Sequence, residues 1–92
     1  MQAALGVAQL EQIDNIVEKK RWIGNTYNEL LKDIDTITLP TIKTDYCENI
    51  YWVYAIVLKD EYKKSAKDVM KELGEYKIGT RPFFYPMHNQ PV

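Results

Sequence analysis

The side chains with chemistry to offer gather near the end of the chain, where Arg81, Tyr85 and His88 fall within eight positions. Arg81 carries a planar, permanently charged fork of N–H donors that suits a carboxylate or a phosphate. Its alternative is an ion pair with Glu72 or Glu75. Tyr85 offers a hydroxyl, although a tyrosine among aromatics is more often packing with one satisfied tip. His88 is the single histidine, and taken alone it reads as a loop residue satisfied by neighbouring backbone. No Asp or Glu lies close to it in sequence, so it does not complete a metal site.

Other reactive types do less. Cys47 sits in a polar stretch with no base beside it, and we assign it no nucleophilic role. One cysteine permits no internal disulfide, which fits a reducing, cytoplasmic setting. Lys63, Lys64, Lys67 and Lys71 read as a solvated helix face. The sequence shows no nucleophile–base pair, no paired carboxylates at a plausible site and no phosphate-binding glycine loop.

Several elements must position these residues. Apolar residues recur at helical spacing from Met1 to about Ile34, with no proline in that span. The pattern predicts a long helix over 1–34, on the order of 50 Å if unbroken at 1.5 Å per residue. Gly6 and Gly24 lie inside it, each costing about 1 kcal/mol of helix propensity. Small residues on so long a helix favour close packing against another domain or subunit. Thr36 to Pro40 reads as a short strand stopped by proline, and Thr41 to Asn49 as a polar loop. Ile50 to Leu58, apolar on both faces and rich in aromatic and β-branched residues, predicts a strand covered on both sides.

Ser65-Ala66-Lys67-Asp68 is the pattern of a capping box; Ala66, Val69, Met70 and Leu73 follow at helical spacing, and Gly74 reads as the stop. Tyr76 to Thr80 predicts a last short strand. The fold class is therefore α/β (α+β): a small sheet with a long N-terminal helix and a second helix packed on it, one domain comprising helix 1–34 and sheet portion 35–92. From Pro82 to Val92 there are three prolines, three aromatics and no charged side chain. Such a segment reads as an ordered loop pressed against protein or lining a pocket, and its apolar end reads as a cut in a longer sequence.

Composition excludes several classes. The chain has 92 residues, 46% hydrophobic and 27% charged, with 12 Lys and Arg against 13 Asp and Glu. A net charge of −1 supplies no field for nucleic acid or an anionic membrane surface. No run approaches the twenty or so apolar residues of a membrane span, and the N-terminus lacks the basic segment of a signal peptide.

Three stretches together resemble a known family. Gln2-Ala3-Ala4-Leu5-Gly6-Val7-Ala8-Gln9-Leu10 is similar to the Q-A-A-x-G-x-x-Q-L opening of a long helix in the DegT/DnrJ/EryC1/StrS aminotransferases. Arg21, Tyr27 and the Leu30-Leu31 pair match later positions of that helix, and Tyr51-Trp52-Val53-Tyr54 resembles an aromatic strand. Ile78-Gly79-Thr80-Arg81, followed by Tyr85 and Pro86-Met87-His88-Asn89-Gln90-Pro91, is similar to the closing motif, with a lean toward perosamine-synthetase-like members.

The resemblance implies the C-terminal small domain of a fold-type-I, pyridoxal-phosphate-dependent enzyme. Such an enzyme transfers an amino group from glutamate to a nucleotide-linked keto-sugar, usually as a homodimer with composite active sites. It implies substrate-facing roles for Arg81, Tyr85 and His88, with Arg81 on a donor carboxylate or a nucleotide phosphate. In the family the cofactor lysine lies far upstream of the Q-A-A helix, and an N-x-R motif precedes that helix. Neither is found in this sequence, and none of its ten lysines has such a setting. The resemblance therefore implies that this chain binds no cofactor and is not catalytic alone. The alternative is a stand-alone α/β module binding a partner through its long helix and aromatic tail.

Overall fold

The computed structural model describes residues 1–90, so Pro91 of the closing motif lies outside the described residues. The order is α1 (Gln2–Leu10), α2 (Ile13–Leu31), β1 (Ile37–Thr38), β2 (Val57–Leu58), α3 (Ala66–Glu75) and a 3₁₀ turn, η1 (Met87–Asn89). Two compact units share the chain, Met1–Val57 and Leu58–Val92.

In the first unit the expected single helix over 1–34 is two helices. Glu11 still donates to the Val7 carbonyl at 3.0 Å, but Gln12 turns to the Gln9 carbonyl at 3.2 Å. Gln12 sits at φ −109°, ψ 6°, outside helical geometry, and α2 starts after it with Asp14 in its first turn. No residue of α1 is buried, so no packing holds a continuous rod through the turn. Neither glycine marks the break.

The core of this unit is the contact between α2 and the segment after the 41–49 loop. Gly24 and Asn28, one helical turn apart, are the buried residues of α2. Tyr51 lies over them at 3% exposure. A Cβ on Gly24 would overlap the Tyr51 ring, so the glycine expected to admit a close approach does so within this chain.

The 50–58 segment departs furthest from its sequence pattern. Only Val57–Leu58 forms a strand, paired with β1. Tyr51 adopts φ +51°, a left-handed conformation unusual for an aromatic residue and incompatible with a continuing strand. The Asn49 side chain accepts from the Tyr51 N–H at 2.7 Å and donates to the Thr41 carbonyl at 3.0 Å. Local hydrogen bonds and ring burial thus override β propensity, leaving Trp52 at 70% exposure. The 41–49 loop folds back on itself through a bridge between Lys43 and Glu48.

In the second unit the capping box forms as read. Asp68 N–H donates to Ser65 Oγ at 3.2 Å, and Ser65 N–H donates to the Asp68 carboxylate at 3.2 Å. Gly74 is not the stop: α3 continues to Glu75 and is capped by Tyr76. Lys77 takes the left-handed position at φ +62°. Its N–H reaches the Gly74 carbonyl at 3.0 Å, and that of Ile78 reaches the Leu73 carbonyl at 2.9 Å. This paired closure is a Schellman motif with lysine where glycine is usual. It turns the chain sharply at the expected 76–80 strand, and no strand forms there.

Candidate functional site

The three sequence-predicted site residues all lie in the second unit, on the loop that leaves α3. Pro82 and Pro86 fix their own φ and hold Arg81 and Tyr85 out of helical geometry. Pro86 precedes η1, where the Asn89 N–H meets the Pro86 carbonyl at 3.0 Å and the Gln90 N–H meets the Met87 carbonyl at 3.2 Å. The Gln90 side chain donates to the Tyr85 carbonyl at 3.5 Å, closing the loop.

Arg81 is exposed and makes no ion pair among the described residues. Its alternative partner Glu72 is taken: Lys64 Nζ lies 2.6 and 2.7 Å from the two Glu72 oxygens. That bond holds the Lys64 ammonium above its ordinary pKa. Tyr85 is 71% exposed, and His88, within η1, is exposed as well. Phe83 and Phe84 form a tilted pair with centroids 5.5 Å apart. No hydrogen bond joins Arg81, Tyr85 and His88 to one another among the described residues. The loop carries a cation, a phenol and an imidazole on an otherwise uncharged, aromatic surface.

A second constellation, which sequence reasoning missed, lies in the first unit. Asn28 donates from Nδ2 to the Tyr51 hydroxyl at 2.9 Å and accepts from the Tyr54 hydroxyl at 2.7 Å. The Tyr51 hydroxyl reaches Asn25 Oδ1 at 3.4 Å. Tyr27 stacks on Tyr54 at 4.9 Å, and Tyr54 on Tyr51 at 6.0 Å. Burial pushes the Tyr54 hydroxyl above its ordinary pKa, with smaller contributions from Tyr51 and Tyr27. Asn28 engages both phenol hydroxyls, so the cluster clasps α2 to the segment after the 41–49 loop. Its sequence signal is faint: Asn28 lies four residues after Gly24, among polar neighbours.

Arg21 faces Glu48, with Nε 3.5 Å from Oε1. The same Nε is buried and makes no hydrogen bond. The distance supports charge attraction without the alignment of a hydrogen bond, so the pair holds α2 to the 41–49 loop only through electrostatics.

No group of three or more His, Cys, Asp or Glu among the described residues is arranged to hold a metal. A cavity of about 300 Å³ is lined in part by Thr41, Ile42, Cys47 and Asn49, and another of about 360 Å³ by Lys64 and charged side chains of α3. Neither borders Arg81, Tyr85 or His88. All ten lysines are exposed. A lysine that anchors pyridoxal phosphate is activated by desolvation or by an adjacent cation, and none of these lysines is desolvated within this chain.

The profile of the DegT/DnrJ/EryC1/StrS aminotransferase family matches residues 1–92. The chain belongs to this family. It is 34% identical over 90 residues to GDP-perosamine synthase of Vibrio cholerae, covering 98% of this chain and 24% of that protein. It is 31% identical over 90 residues to the putative pyridoxal phosphate-dependent aminotransferase EpsN of Bacillus subtilis, covering 98% and 22%. A dTDP-4-dehydro-2,3,6-trideoxy-D-glucose 4-aminotransferase of Saccharopolyspora spinosa is 29% identical over 92 residues, covering 100% and 23%. The chain spans about a quarter of the length of the curated relatives it matches. No solved structure matches it. Among the described residues no helix is long and apolar enough to cross a membrane.

Proposed function

We propose that this chain is the C-terminal small domain of a pyridoxal-phosphate-dependent aminotransferase that moves the amino group of glutamate to a nucleotide-linked keto-sugar. The observation that carries the reading is the family match over residues 1–92 by a chain that covers about a quarter of its relatives. The names of those relatives, GDP-linked in one case and dTDP-linked in another, support a nucleotide sugar as substrate. The name of a third supports the cofactor.

In this reading the cofactor chemistry belongs to residues outside this chain, and its own side chains bind and orient. The Arg81 fork holds a phosphate of the nucleotide or the carboxylate of the amino donor. The Tyr85 hydroxyl and the His88 imidazole hydrogen-bond the sugar or its phosphates. The enzyme works in the cytoplasm as a homodimer, and the product serves amino-sugar and cell-surface polysaccharide synthesis. Exposed Trp22, Leu30 and Trp52, at 65%, 72% and 70%, would be covered by the rest of the enzyme. The same exposure favours a second reading, a stand-alone module that binds a partner protein.

Transamination by the complete gene product, supplied with glutamate, pyridoxal phosphate and a GDP-linked 4-keto-6-deoxy sugar, separates the two. The first reading expects turnover, lowered at least tenfold in kcat/KM by Arg81→Ala. It also expects none from residues 1–92 alone. Failure of the complete product to transaminate any nucleotide-linked keto-sugar would leave the module reading in place.

A further inference from the structure

Resting on the reading that the substrate is a nucleotide-linked sugar, we propose that Phe83 is a stacking platform for the nucleobase, with Arg81 beside it on the phosphates. Phe83, Phe84, Tyr85 and Met87 are 65%, 72%, 71% and 89% exposed, a dense apolar surface for five consecutive positions. The Phe83 and Phe84 rings meet at 52° with centroids 5.5 Å apart. The tilted contact fixes the orientation of the Phe83 ring while Phe83 itself stays 65% exposed. Pro82 and Pro86 stiffen the backbone on both sides, so little freedom remains to be lost on binding.

Charge completes the pattern. Arg81 has no ion-pair partner among the described residues, and no carboxylate side chain lies between Pro82 and Gln90 to compete for it. An apolar ligand would use the rings and leave the guanidinium idle, whereas phosphate alone would leave the rings in water. A flat heterocycle joined to phosphates uses both. Stacking also tolerates any base, because every base has a π-face. A platform of this kind serves guanine and thymine alike, so discrimination between GDP- and dTDP-linked sugars would lie elsewhere.

Calorimetric binding of GDP, dTDP and inorganic pyrophosphate to the complete gene product tests this, with Phe83→Ala, Phe83→Leu, Phe83→Trp and Arg81→Gln. Thermal melts confirm that each variant is folded. The expected result is a loss of about tenfold for GDP and dTDP in Phe83→Ala, not restored by leucine and restored to within twofold by tryptophan. Pyrophosphate binding should be unchanged by Phe83→Ala and weakened by Arg81→Gln, and kcat/KM for glutamate, which reports the half-reaction without the sugar, should not move in Phe83→Ala. The proposal is overturned if Phe83→Ala binds GDP within twofold of wild type, or if leucine restores binding as well as tryptophan. It is equally overturned if the wild-type protein binds neither nucleotide. Nucleotide binding with the expected pattern but no transamination would instead defeat the aminotransferase reading and leave the platform standing.

Discussion

Single residues decide the first unit. Gly24 is where the Tyr51 ring lies directly against helix backbone, and any side chain there displaces the ring. Gly24→Ala gains about 1 kcal/mol of helix propensity. It costs about 1–3 kcal/mol of overpacking, and it also frees Tyr51 from Asn28. The net expectation is destabilisation, seen as a lower denaturant midpoint and a loss of the near-ultraviolet signal from the tyrosine cluster. An unchanged or higher midpoint would show that the ring contact contributes nothing. The sequence marked Gly24 as a point of close approach, but not the partner. Asn28 and Tyr51 are 23 positions apart, and no local pattern joins a polar helix residue to an aromatic one across a loop.

At the scale of elements, local chemistry was legible and pairing was not. The capping box of α3 is written in four consecutive residues, Ser65 to Asp68, and forms as read. The short strand before Pro40 was also visible. Of the expected strand 50–58 only Val57–Leu58 forms, and none of the strand over 76–80 does; each segment holds a residue at positive φ, Tyr51 and Lys77. Neither is a glycine or an asparagine, so nothing in their type announces a left-handed turn.

Lys77 offers a clean test of the second turn. Replacing it with glycine removes the left-handed penalty of about 1–2 kcal/mol. It returns about 0.4–1 kcal/mol through the freer unfolded chain. Lys77→Gly should therefore stabilise the second unit by roughly 0.5–1 kcal/mol, read from hydrogen exchange of the α3 amides.

The capping box also sets a pH dependence. Hydrogen bonds from the Ser65 side chain, then its backbone, hold the Asp68 carboxyl below its ordinary value of 3.8. A depressed carboxyl contributes stability that is fully present above the unfolded pKa and lost as pH falls through the folded one. The start of α3 should thus be intact at neutral pH and fray only below about pH 4. The Ser65 and Asp68 amide shifts, followed from pH 6 to pH 2, check this; fraying that begins above pH 5 would contradict it.

At the scale of the whole molecule, the described residues bury little. Tyr51 is the buried hydrophobic residue, and large apolar side chains from Leu5 to Met87 meet solvent. A chain of this size ordinarily buries more than half of its unfolded surface, and under the proposed reading the rest of the enzyme would cover these side chains. In the closing loop Arg81, Tyr85 and His88 are all exposed, and neither cavity borders them. Sequence reading named these three residues because their types and order were local. It could not show what surrounds them, because no local pattern reports on contacts distant in sequence.

The central claim is that this chain is the small domain of a larger aminotransferase, and the most direct test is the reading frame upstream of the Met1 codon. The account predicts that the frame continues without interruption through an N-x-R motif and, earlier, a lysine followed by a turn containing Gly and Glu. An in-frame stop codon with a ribosome-binding site immediately before Met1 would contradict it and make the chain an independent binding module of aminotransferase ancestry.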